Sequence, residues 1–571
     1  MINVQTSLVN KYPQVSVIPQ PILSPLFSAI KKVIHENDIN VFLKQQQHAG
    51  PFSFVESVLD YFDFSYKYAS NQIENIPSSG RVVIIANHPL GALDALSLIH
   101  LVRKVRADIK VVANEMLAEI EQLKPILVGV NSFGDNISKA SVKEIHDTLG
   151  NEEALIIFPS GEVSRARPNG VKDTQWHKGF LKFARKNYAP ILPIHIKAKN
   201  SALFYTLSSL NKSISSVLLP HEMFKQKSGS LDFTIGESIP YKSFATNPLD
   251  TKSQVKLFRK HLYRVAKGKK GVFVTERCIA HPESRQILKH ELSKSQKLGE
   301  TSDGKQIYLY EYTKGSIILQ EIARLREFTF RKVEEGTGKK RDKDNYDYYY
   351  KHIILWDDKE LEIAGAYRIA ESNYVYENYG VEGFYTDSLF GFGEDFERYL
   401  NNSIELGRSF VQPKYWGSRA LDYLWQGIGA YLYQNSHIKY MFGAVTLSGA
   451  MPKSAQELIL YYYDKYYGNH HGLLNPKDKF KFTKEGLEDL AFIFDKENAR
   501  EEFKVLRDQL DYYGGAVPTL YKQYAELCEE GGISFMGYNV DKDFGNCVDS
   551  FILVEIDKIK EKKKDRYIKA S

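Results

Sequence analysis

His88 and Asp94 stand in the stretch NHPLGALD, directly after the apolar run VVIIA, and their side chains suit general-base chemistry. A histidine has an ordinary pKa of about 6.5, so its ring can accept a proton at neutral pH. A carboxylate beside the ring can orient it and stabilise the charge it gains, as in a catalytic triad without the serine. The pair could therefore deprotonate a hydroxyl group for attack on an acyl group. A histidine in a turn is also often structural, and the pair alone leaves that alternative open.

A second set of charged residues lies in the C-terminal half of the chain and suits amide formation. An amine is nucleophilic once it is deprotonated, so such a site must hold the amine and present a thioester carbonyl to it. Charged residues at the ends of secondary-structure elements are often only solvated ion pairs, and that alternative stays open for each of them. The set comprises Arg326 in ARLREFTFR, Asp342, Asp344 and Asp347 in RDKDNYD, and Glu405 and Arg408 in IELGRSFV.

The elements that must position His88 follow an α/β pattern from about residue 80. Short apolar runs (VVIIA, IKVVAN, ALIIF and PILPIHI) alternate with segments of helical periodicity. Continuous apolar strands are typical of a sheet that is covered on both faces. His88 follows the first run, at the strand end where such sheets bind ligands. We predict a helical segment over residues 1–59 and this α/β domain over residues 60–270.

A second α/β domain is predicted over residues 306–571, after a polar segment, 271–305, that we predict to be a linker. The strand pattern NSIELGRSFV is followed by PKYWGSRALDYLWQ, in which a glycine turn leads into a helix. Such a turn presents backbone N–H groups to a phosphate or to a pantetheine arm. Gly417 and Ala420 are the residues that we expect at this position.

The composition indicates a folded protein of at least two domains. The chain has 571 residues, 43% of them hydrophobic and 26% charged, which is ordinary for globular proteins. Its three cysteines are far apart and lack metal-ligand spacing, so the pattern indicates neither a disulfide scaffold nor a metal site. We predict no transmembrane span and no signal peptide. The net charge is +6, with basic runs that suit an acidic carrier protein, anionic lipid or nucleic acid, or that are only solvated surfaces.

The order of NHPLGALD, FPSGE and APILPI resembles the glycerolipid acyltransferase family, especially its haemolysin-like branch, over about residues 60–265. The resemblance implies that His88 is the general base on the acceptor hydroxyl and that Asp94 orients it. The common family motif has four residues between these two, whereas this chain has five, which points to an acceptor other than glycerol phosphate. The residues implied in acceptor binding are Gly161, Glu162 and Arg165.

Over about residues 306–557 the chain resembles the N-acyltransferases related to acyl-homoserine lactone synthases, within the wider acetyltransferase (GNAT) fold. The matching features are the R-x-x-x-F element, the DxDxxD run, HIILWD, AGAYRI and ELGRSFV. The resemblance implies that Glu405 is the base and that Arg408 organises the chemistry. Because the pyrophosphate turn is degenerate, with only Gly417 and Ala420 at usable places, a carrier-protein pantetheine arm is favoured over coenzyme A. The residues implied in acceptor binding are Arg326, Asp344 and Asp347.

Together the two halves resemble the bifunctional bacterial ornithine lipid synthases. The resemblance implies that the C-terminal domain N-acylates ornithine with a 3-hydroxyacyl chain from acyl carrier protein. The N-terminal domain then esterifies the 3-hydroxyl of that lyso-lipid. It also implies no metal, no cofactor beyond the transiently bound phosphopantetheine arm, and no nucleic-acid partner. We expect amino-acid and lipid substrates and a peripheral location on the cytoplasmic face of the inner membrane.

Three alternatives remain open. The same chemistry on glycine would make glycine lipids. The N-terminal domain could instead acylate lysophosphatidate, with the C-terminal domain serving only as a docking module. The non-enzymatic alternative is a membrane-bound scaffold with two inactive sites, which is disfavoured because His88, Asp94, Glu405 and Arg408 all stand at the positions that the two families use.

Overall fold

The computed structural model describes residues 20–114, 120–130, 138–167, 170–210, 218–333, 335–469 and 471–568. The chain divides into two compact units, Met1–Cys278 and Ile279–Ser571. Each unit is built around its own β-sheet. Among the described residues, no helix combines the length and the hydropathy needed to cross a bilayer.

The first unit contains a seven-stranded sheet and a small hairpin. Its strands are β1 (Ser65–Lys67), β2 (Val82–Ala86), β3 (Ile109–Asn114), β4 (Leu127–Val130), β5 (Ala154–Ile157), β6 (Arg165–Arg167), β7 (Gly170–Lys172), β8 (Ile191–Lys197) and β9 (Ser230–Ile235). Its helices are α1 (Gln20–Val33), α2 (Glu36–Gln45), α3 (Pro51–Tyr61), α4 (Ala92–Arg103), α5 (Lys139–Gly150), α6 (Gly179–Lys186), α7 (Ala202–Leu210), α8 (Leu219–Lys225), α9 (Lys242–Ala245) and α10 (Thr251–Val265).

The order of the large sheet is β1-β9-β8-β2-β5-β3-β4, with parallel pairing from β8 to β4. Every residue of β2 is buried, because helices cover both faces of the sheet. Ile84 packs on one face in a cluster with Phe54 of α3 and Leu98 of α4. Ile85 packs on the other face with Phe180 of α6. This two-sided burial explains why the strand is apolar throughout rather than alternating.

The second unit is built on an eight-stranded sheet, together with a small two-stranded one. Its strands are β10 (Gln296–Glu300), β11 (Gln306–Glu311), β12 (Lys351–Asp357), β13 (Glu362–Glu371), β14 (Phe390–Phe392), β15 (Ser403–Val411), β16 (Tyr440–Leu447), β17 (Leu474–Pro476), β18 (Ile533–Asp541) and β19 (Cys547–Glu555). Its helices are α11 (Arg285–Leu292), α12 (Ile318–Lys332), α13 (Ser372–Tyr379), α14 (Glu397–Leu400), α15 (Ala420–Gln434), α16 (Lys453–Tyr467), α17 (Lys484–Ile493), α18 (Ala499–Tyr512), α19 (Thr519–Ala525) and α20 (Glu561–Tyr567).

The order of this sheet is β10-β11-β12-β13-β15-β16-β19-β18, and its pairs are antiparallel except for β15 with β16. These two strands pair only from Ser403 opposite Tyr440 to Leu406 opposite Gly443. Beyond Leu406, β15 continues alongside β13, its neighbour on the other side. The half of β15 that carries Arg408 therefore lies where its ladder with β16 has ended.

Residues 285–300 belong to the second unit rather than to the linker that we predicted over 271–305. Helix α11 buries Leu288 and Leu292 in a core cluster of that unit. Strand β10 is the edge strand of the large sheet and pairs with β11. The segment looked like a linker because its elements are short and mostly exposed, so few apolar positions mark them in the sequence.

The close approach of β15 and β16 provides a test of this topology. A Cβ atom on Gly443 would lie 2.1 Å from the carbonyl oxygen of Leu406, so Gly443→Ala must push the two strands apart. We expect a loss of about 1–3 kcal/mol in unfolding free energy, measured by denaturant titration of the full chain. The matched control is Gly391→Ala in β14, where the nearest atom outside the neighbouring residues is 3.8 Å away. Equal midpoints for the two variants would contradict the parallel pairing.

Candidate active sites

The first site forms where β2 ends and the chain turns into α4. Asn87 anchors this turn to β8, because its side chain donates to the carbonyl of Ile196 at 2.8 Å and accepts from the N–H of Ile196 at 2.7 Å. Gly91 has φ +108°, a conformation that side chains other than that of glycine rarely adopt. His88 lies between these two fixed points, at the carboxyl edge of the parallel strands. The turn therefore holds the imidazole where an α/β sheet binds its ligands.

Asp94 holds the turn in place through hydrogen bonds to its backbone. Its carboxylate is fully buried and accepts the backbone N–H groups of Leu90, Gly91 and Ala95 at 2.8, 3.1 and 2.8 Å. Nδ1 of His88 lies 3.2 Å from Oδ1 of Asp94, a contact within ion-pair distance whose angle does not meet the requirement for a hydrogen bond. The structure thus brings the two predicted residues together, with a carboxylate already oriented by the first turn of α4.

The environment of His88 raises the proton affinity of its ring. Burial opposes protonation, but the negative charges of Asp94 and Asp173 outweigh it and raise the pKa of His88 above its ordinary value. The ring lies against Phe158, with 4.3 Å between ring centroids, and 18% of the side chain is exposed. The imidazole is therefore supported on one side by an aromatic ring and is reachable by a substrate.

Asp173 is a residue of this site that sequence reasoning missed. Its buried carboxylate accepts the backbone N–H of His88 at 3.2 Å, the hydroxyl of Ser164 at 2.5 Å and the indole N–H of Trp176 at 2.8 Å. Burial raises the pKa of Asp173. Nothing in the polar stretch KDTQWHK marks this aspartate, which lies 85 positions from His88.

The FPSGE block lies at the same edge, joined to the histidine turn. The N–H of Ser164 donates to the carbonyl of His88 at 2.7 Å, and Gly161 turns the chain with φ +62°. Arg165 pairs with Glu162 at 3.3 Å and also donates to Ser208. Gly161, Glu162 and Arg165 are thus brought to the His88 region, where their predicted role in binding the acceptor stays a prediction.

In the second unit, two of the predicted substrate-binding residues pair with each other. Arg326 donates through two nitrogens to both carboxylate oxygens of Asp347, at 2.8 and 2.6 Å, and neither residue is exposed. Burial works against the charge of Asp347, but Arg326 and Arg368 outweigh it and hold the pKa of this carboxyl well below its ordinary value. We predicted that Arg326 and Asp347 contact substrate, whereas the structure buries them as the support of the site.

Arg368 completes this charged cluster and was also missed. Its Nη1 donates to Asp344 at 2.6 Å and to Asp347 at 3.0 Å. Its guanidinium lies 5.1–5.6 Å from the ring centroids of Tyr346, Tyr350 and Tyr385. The sequence does carry a signal for it, because an arginine within the otherwise apolar strand IAGAYRIA must be paired if that strand is buried.

Glu405 lies on β15 in a pocket of hydrogen-bond donors. Its Oε2 accepts from the hydroxyl of Tyr350 and from the N–H of Tyr385 at 3.2 Å, and its Oε1 accepts from the N–H of Thr386 at 2.7 Å. Burial raises the pKa of Glu405, although these hydrogen bonds oppose the shift. A buried carboxylate with a raised pKa has the properties of a catalytic base that works near neutral pH.

Arg408 lies three positions after Glu405, at a break in the strand. Its φ is +48°, and the register of β15 against β13 shifts at this point. Residues three apart in a regular strand face opposite sides. Here Arg408 stacks over the ring of Tyr385 at 4.9 Å, while Glu405 accepts from the N–H of the same residue. The irregularity therefore brings the predicted base and its predicted organiser to one side of the sheet.

The acidic residues beside Arg408 differ in their exposure. Nη1 of Arg408 lies 3.5 Å from Asp342, which is buried, and Nε lies 3.9 Å from Asp344, whose side chain is 23% exposed. Its guanidinium is held on its other side by Phe544, 4.8 Å from the ring centroid. Of the predicted acidic residues, Asp344 is therefore the one placed to meet a substrate.

Gly417 and Ala420 lie in the turn between β15 and α15, as the strand–turn–helix pattern predicted. Gly417 has φ +74°, and Ala420 is the first residue of α15. The first N–H groups of a helix have no partner within it and can bind an anionic group, although the N–H of Ala420 donates to the hydroxyl of Ser418 at 3.2 Å. In the described part of the chain no three His, Cys, Asp or Glu side chains gather closely enough to hold a metal ion.

The pKa of His88 tests the geometry around Asp173. We expect Asp173→Asn to lower this pKa, because it removes one of two negative charges that favour the protonated ring. Asp94→Asn should lower it further, since the charge of Asp94 has the larger effect. NMR titration of the histidines measures both shifts, with His88→Gln to assign the resonance. A raised or unchanged pKa in Asp173→Asn would show that Asp173 does not act on the ring.

Two family models match the chain, one for each unit. The model described as "Acyltransferase" matches residues 18–270, and the model described as "Acetyltransferase (GNAT) domain" matches residues 325–426. These matches confirm the predicted fold class: an N-terminal α/β domain like that of the glycerolipid acyltransferases and a C-terminal GNAT-like α/β domain.

Three named relatives each match a part of the chain. The glycine N(alpha)-acyltransferase of Bacteroides thetaiotaomicron is 32% identical over 51% of this chain and 89% of its own length. The lyso-glycine lipid O-acyltransferase of Phocaeicola vulgatus is 28% identical over 38% of this chain and 79% of its own length. The L-ornithine N(alpha)-acyltransferase of Rhizobium meliloti is 37% identical over 21% of this chain and 41% of its own length. The chain therefore belongs to the family of the glycine N(alpha)-acyltransferases and is an aminolipid acyltransferase, in which the two family models match different parts of one polypeptide.

Proposed function

We propose that this chain makes a two-chain aminolipid by successive N- and O-acylation. The observation that carries the proposal is that one polypeptide is similar, over 51% of its length, to an enzyme named for N-acylating glycine and, over 38% of its length, to one named for O-acylating a lyso-glycine lipid. The second unit forms the amide with a 3-hydroxyacyl chain. The first unit then forms an ester on the 3-hydroxyl of that chain.

In the N-acylation step, Glu405 takes a proton from the ammonium group of the acceptor. The free amine attacks the thioester carbonyl, the N–C bond forms and the C–S bond breaks, and the leaving thiolate takes the proton that the attacking nitrogen loses. Glu405 then releases its own proton to solvent. The hydroxyl of Tyr350 and two backbone N–H groups hold Glu405 in place for this transfer. Arg408, fixed between Tyr385 and Phe544, supplies a positive charge beside the reacting groups.

In the O-acylation step, His88 takes the proton of the 3-hydroxyl group as its oxygen attacks the second thioester. The O–C bond forms, the C–S bond breaks, and the thiolate recovers the proton. Asp94 stabilises the charge that His88 gains, 3.2 Å from Nδ1. Gly161, Glu162 and Arg165, in the loop joined to the histidine turn, are the residues we propose to bind the lyso-lipid. The five-residue spacing between His88 and Asp94 fits an acceptor other than glycerol phosphate.

The amino acid is proposed to be glycine, although the resemblance in the sequence alone put ornithine first. Relatives of both halves carry names from glycine-lipid synthesis, over 89% and 79% of their own lengths. A separate observation keeps ornithine as the second candidate. Ornithine has a second ammonium group, and the side chain of Asp344 is 23% exposed, although its Oδ2 is buried and lies 3.9 Å from Nε of Arg408. A partly exposed carboxylate suits an ammonium group.

The acyl donor is proposed to be an acyl carrier protein, whose phosphopantetheine phosphate would approach Gly417 and Ala420 at the start of α15. The enzyme is proposed to act at the inner face of the cytoplasmic membrane, because the lyso-lipid product of the first step is itself amphipathic. No metal and no nucleic acid take part in the proposed reactions.

Lipid extracts from cells expressing the chain test this function. If the acceptor is glycine, the wild type should produce a new ninhydrin-negative lipid, because the amine of glycine is acylated. If the acceptor is ornithine, the new lipid should be ninhydrin-positive, because the second amine of ornithine stays free. Mass spectrometry identifies the amino acid and the number of acyl chains. His88→Ala should accumulate the one-chain lipid, with O-acylation reduced about 10²- to 10⁴-fold, whereas Glu405→Gln should produce neither lipid. Folded wild-type protein with no aminolipid product would refute the proposal.

The pH dependence of N-acylation tests the role of Glu405. Its carboxylate must be ionised to accept a proton, so activity is lost as the pH falls through its pKa. Burial raises the pKa of Glu405, and the hydrogen bond from Tyr350 opposes that rise. Tyr350→Phe removes this hydrogen bond, so the pKa of Glu405 should rise further and the acid limb of kcat/KM should move to higher pH. Tyr349→Phe is the matched control, because its hydroxyl donates to the carbonyl of Gly383 instead. An acid limb that moves equally in both variants would exclude Glu405 as the titrating base.

A further inference from the structure

A basic surface on the first unit is not used by the chemistry described above. It consists of helix α10 and the turn that follows it, and we call it the α10 surface. Between Thr251 and Gly271 the sequence has eight basic residues and no acidic one. The exposed members are Lys252, Lys256, Lys260, Lys267, Lys269 and Lys270.

The charge of the α10 surface is largely uncompensated. Within the described residues, no carboxylate lies within ion-pair distance of these lysines, although Asp250 at the start of the helix is close enough to interact with Lys256. The opposite face of α10 is apolar and fully used, since Val255, Phe258 and Leu262 are packed in the core of the unit. The helix therefore offers charge to a partner and has no apolar face left to insert into a membrane.

The α10 surface lies next to the His88 site. Arg259 of α10 donates to the carbonyl of Asp173, and the hydroxyl of Tyr263 accepts the N–H of Asp173 at 2.9 Å. The carboxylate of Asp173 accepts the N–H of His88. Asp173 thus connects helix α10 to His88, the proposed base. A molecule bound on this helix is held beside the place where its thioester must react.

We propose that the α10 surface docks an acidic carrier protein that delivers the acyl thioester to His88. This inference rests on the proposed O-acylation and names the partner that serves it. Positive charge on one protein steers an acidic partner and speeds its association, an effect that falls as salt increases. A helix that inserts into a membrane surface, by contrast, needs an exposed apolar face as well as charge, which α10 lacks. The packing of α10 therefore favours the protein partner over anionic lipid.

The test measures O-acylation by the full chain with two donors. The acceptor is synthetic N-(3-hydroxyacyl)glycine or its ornithine counterpart, and the donors are acyl carrier protein charged with an acyl chain and the small thioester S-acyl-pantetheine. For Lys256→Glu with Lys260→Glu, we expect the KM for the charged carrier to rise about tenfold at low salt, with little change in kcat. Turnover of S-acyl-pantetheine should be unchanged. The wild-type KM for the carrier should rise with salt more steeply than that of the variant.

The matched control is Lys139→Glu with Lys143→Glu, which makes the same charge change at the same spacing on helix α5. It should leave the KM for both donors unchanged. An unchanged carrier KM in the α10 variant, or an equal loss with both donors, would overturn the docking proposal. The docking proposal would also be overturned if the loss of activity correlated with weaker binding to vesicles of anionic phospholipid rather than with the donor used. If the wild type uses neither donor, the proposed O-acylation itself fails, and the docking proposal fails with it.

Discussion

Asp347 has no exposed surface, and a buried carboxylate of this kind must be compensated by hydrogen bonds and opposite charges or it destabilises the fold. Arg326 pairs with both of its oxygens, and Arg368 pairs with one. These two arginines lie on a helix and on a strand far apart in the sequence, so their shared partner joins α12 to β13. The rest of the second site depends on this buried cluster, because Arg368 also holds Asp344 and lies against the tyrosine that contacts Glu405.

The first site uses the same constraint with backbone groups in place of arginines. Asp94 is compensated by three N–H groups of its own turn, and Asp173 by the N–H of His88, a hydroxyl and an indole. Each carboxylate therefore fixes a loop while it places negative charge near the histidine. The same contacts therefore set both the position of His88 and the proton affinity of its ring. In each unit the residue proposed to accept a proton is accordingly supported by buried groups of the surrounding fold.

The two sites differ in how they shift the proton affinity of the proposed base. For His88, neighbouring carboxylates raise the pKa against the effect of burial. For Glu405, burial itself raises the pKa and hydrogen bonds oppose it. The two proposed acceptors, an amine and a fatty hydroxyl, are different, and the two units raise the pKa of the proposed base by different means. The proposed function joins two successive acylations in one chain, and this chain is similar to separately named enzymes for an N-acylation and an O-acylation.

The sequence by itself determined the fold class, the presence of two α/β domains and the motifs that carry His88, Asp94, Glu405 and Arg408, because strand burial and local turns leave short-range patterns in the residue order. It did not reveal Asp173, and it misjudged residues 285–300, whose short and exposed elements leave no such pattern. Only the tertiary structure decided which of the charged residues are buried and which are partly exposed. Asp344 and Asp347 have the same side chain in one short motif, and their surroundings differ only because distant segments pack together and compensate the charge that lies inside.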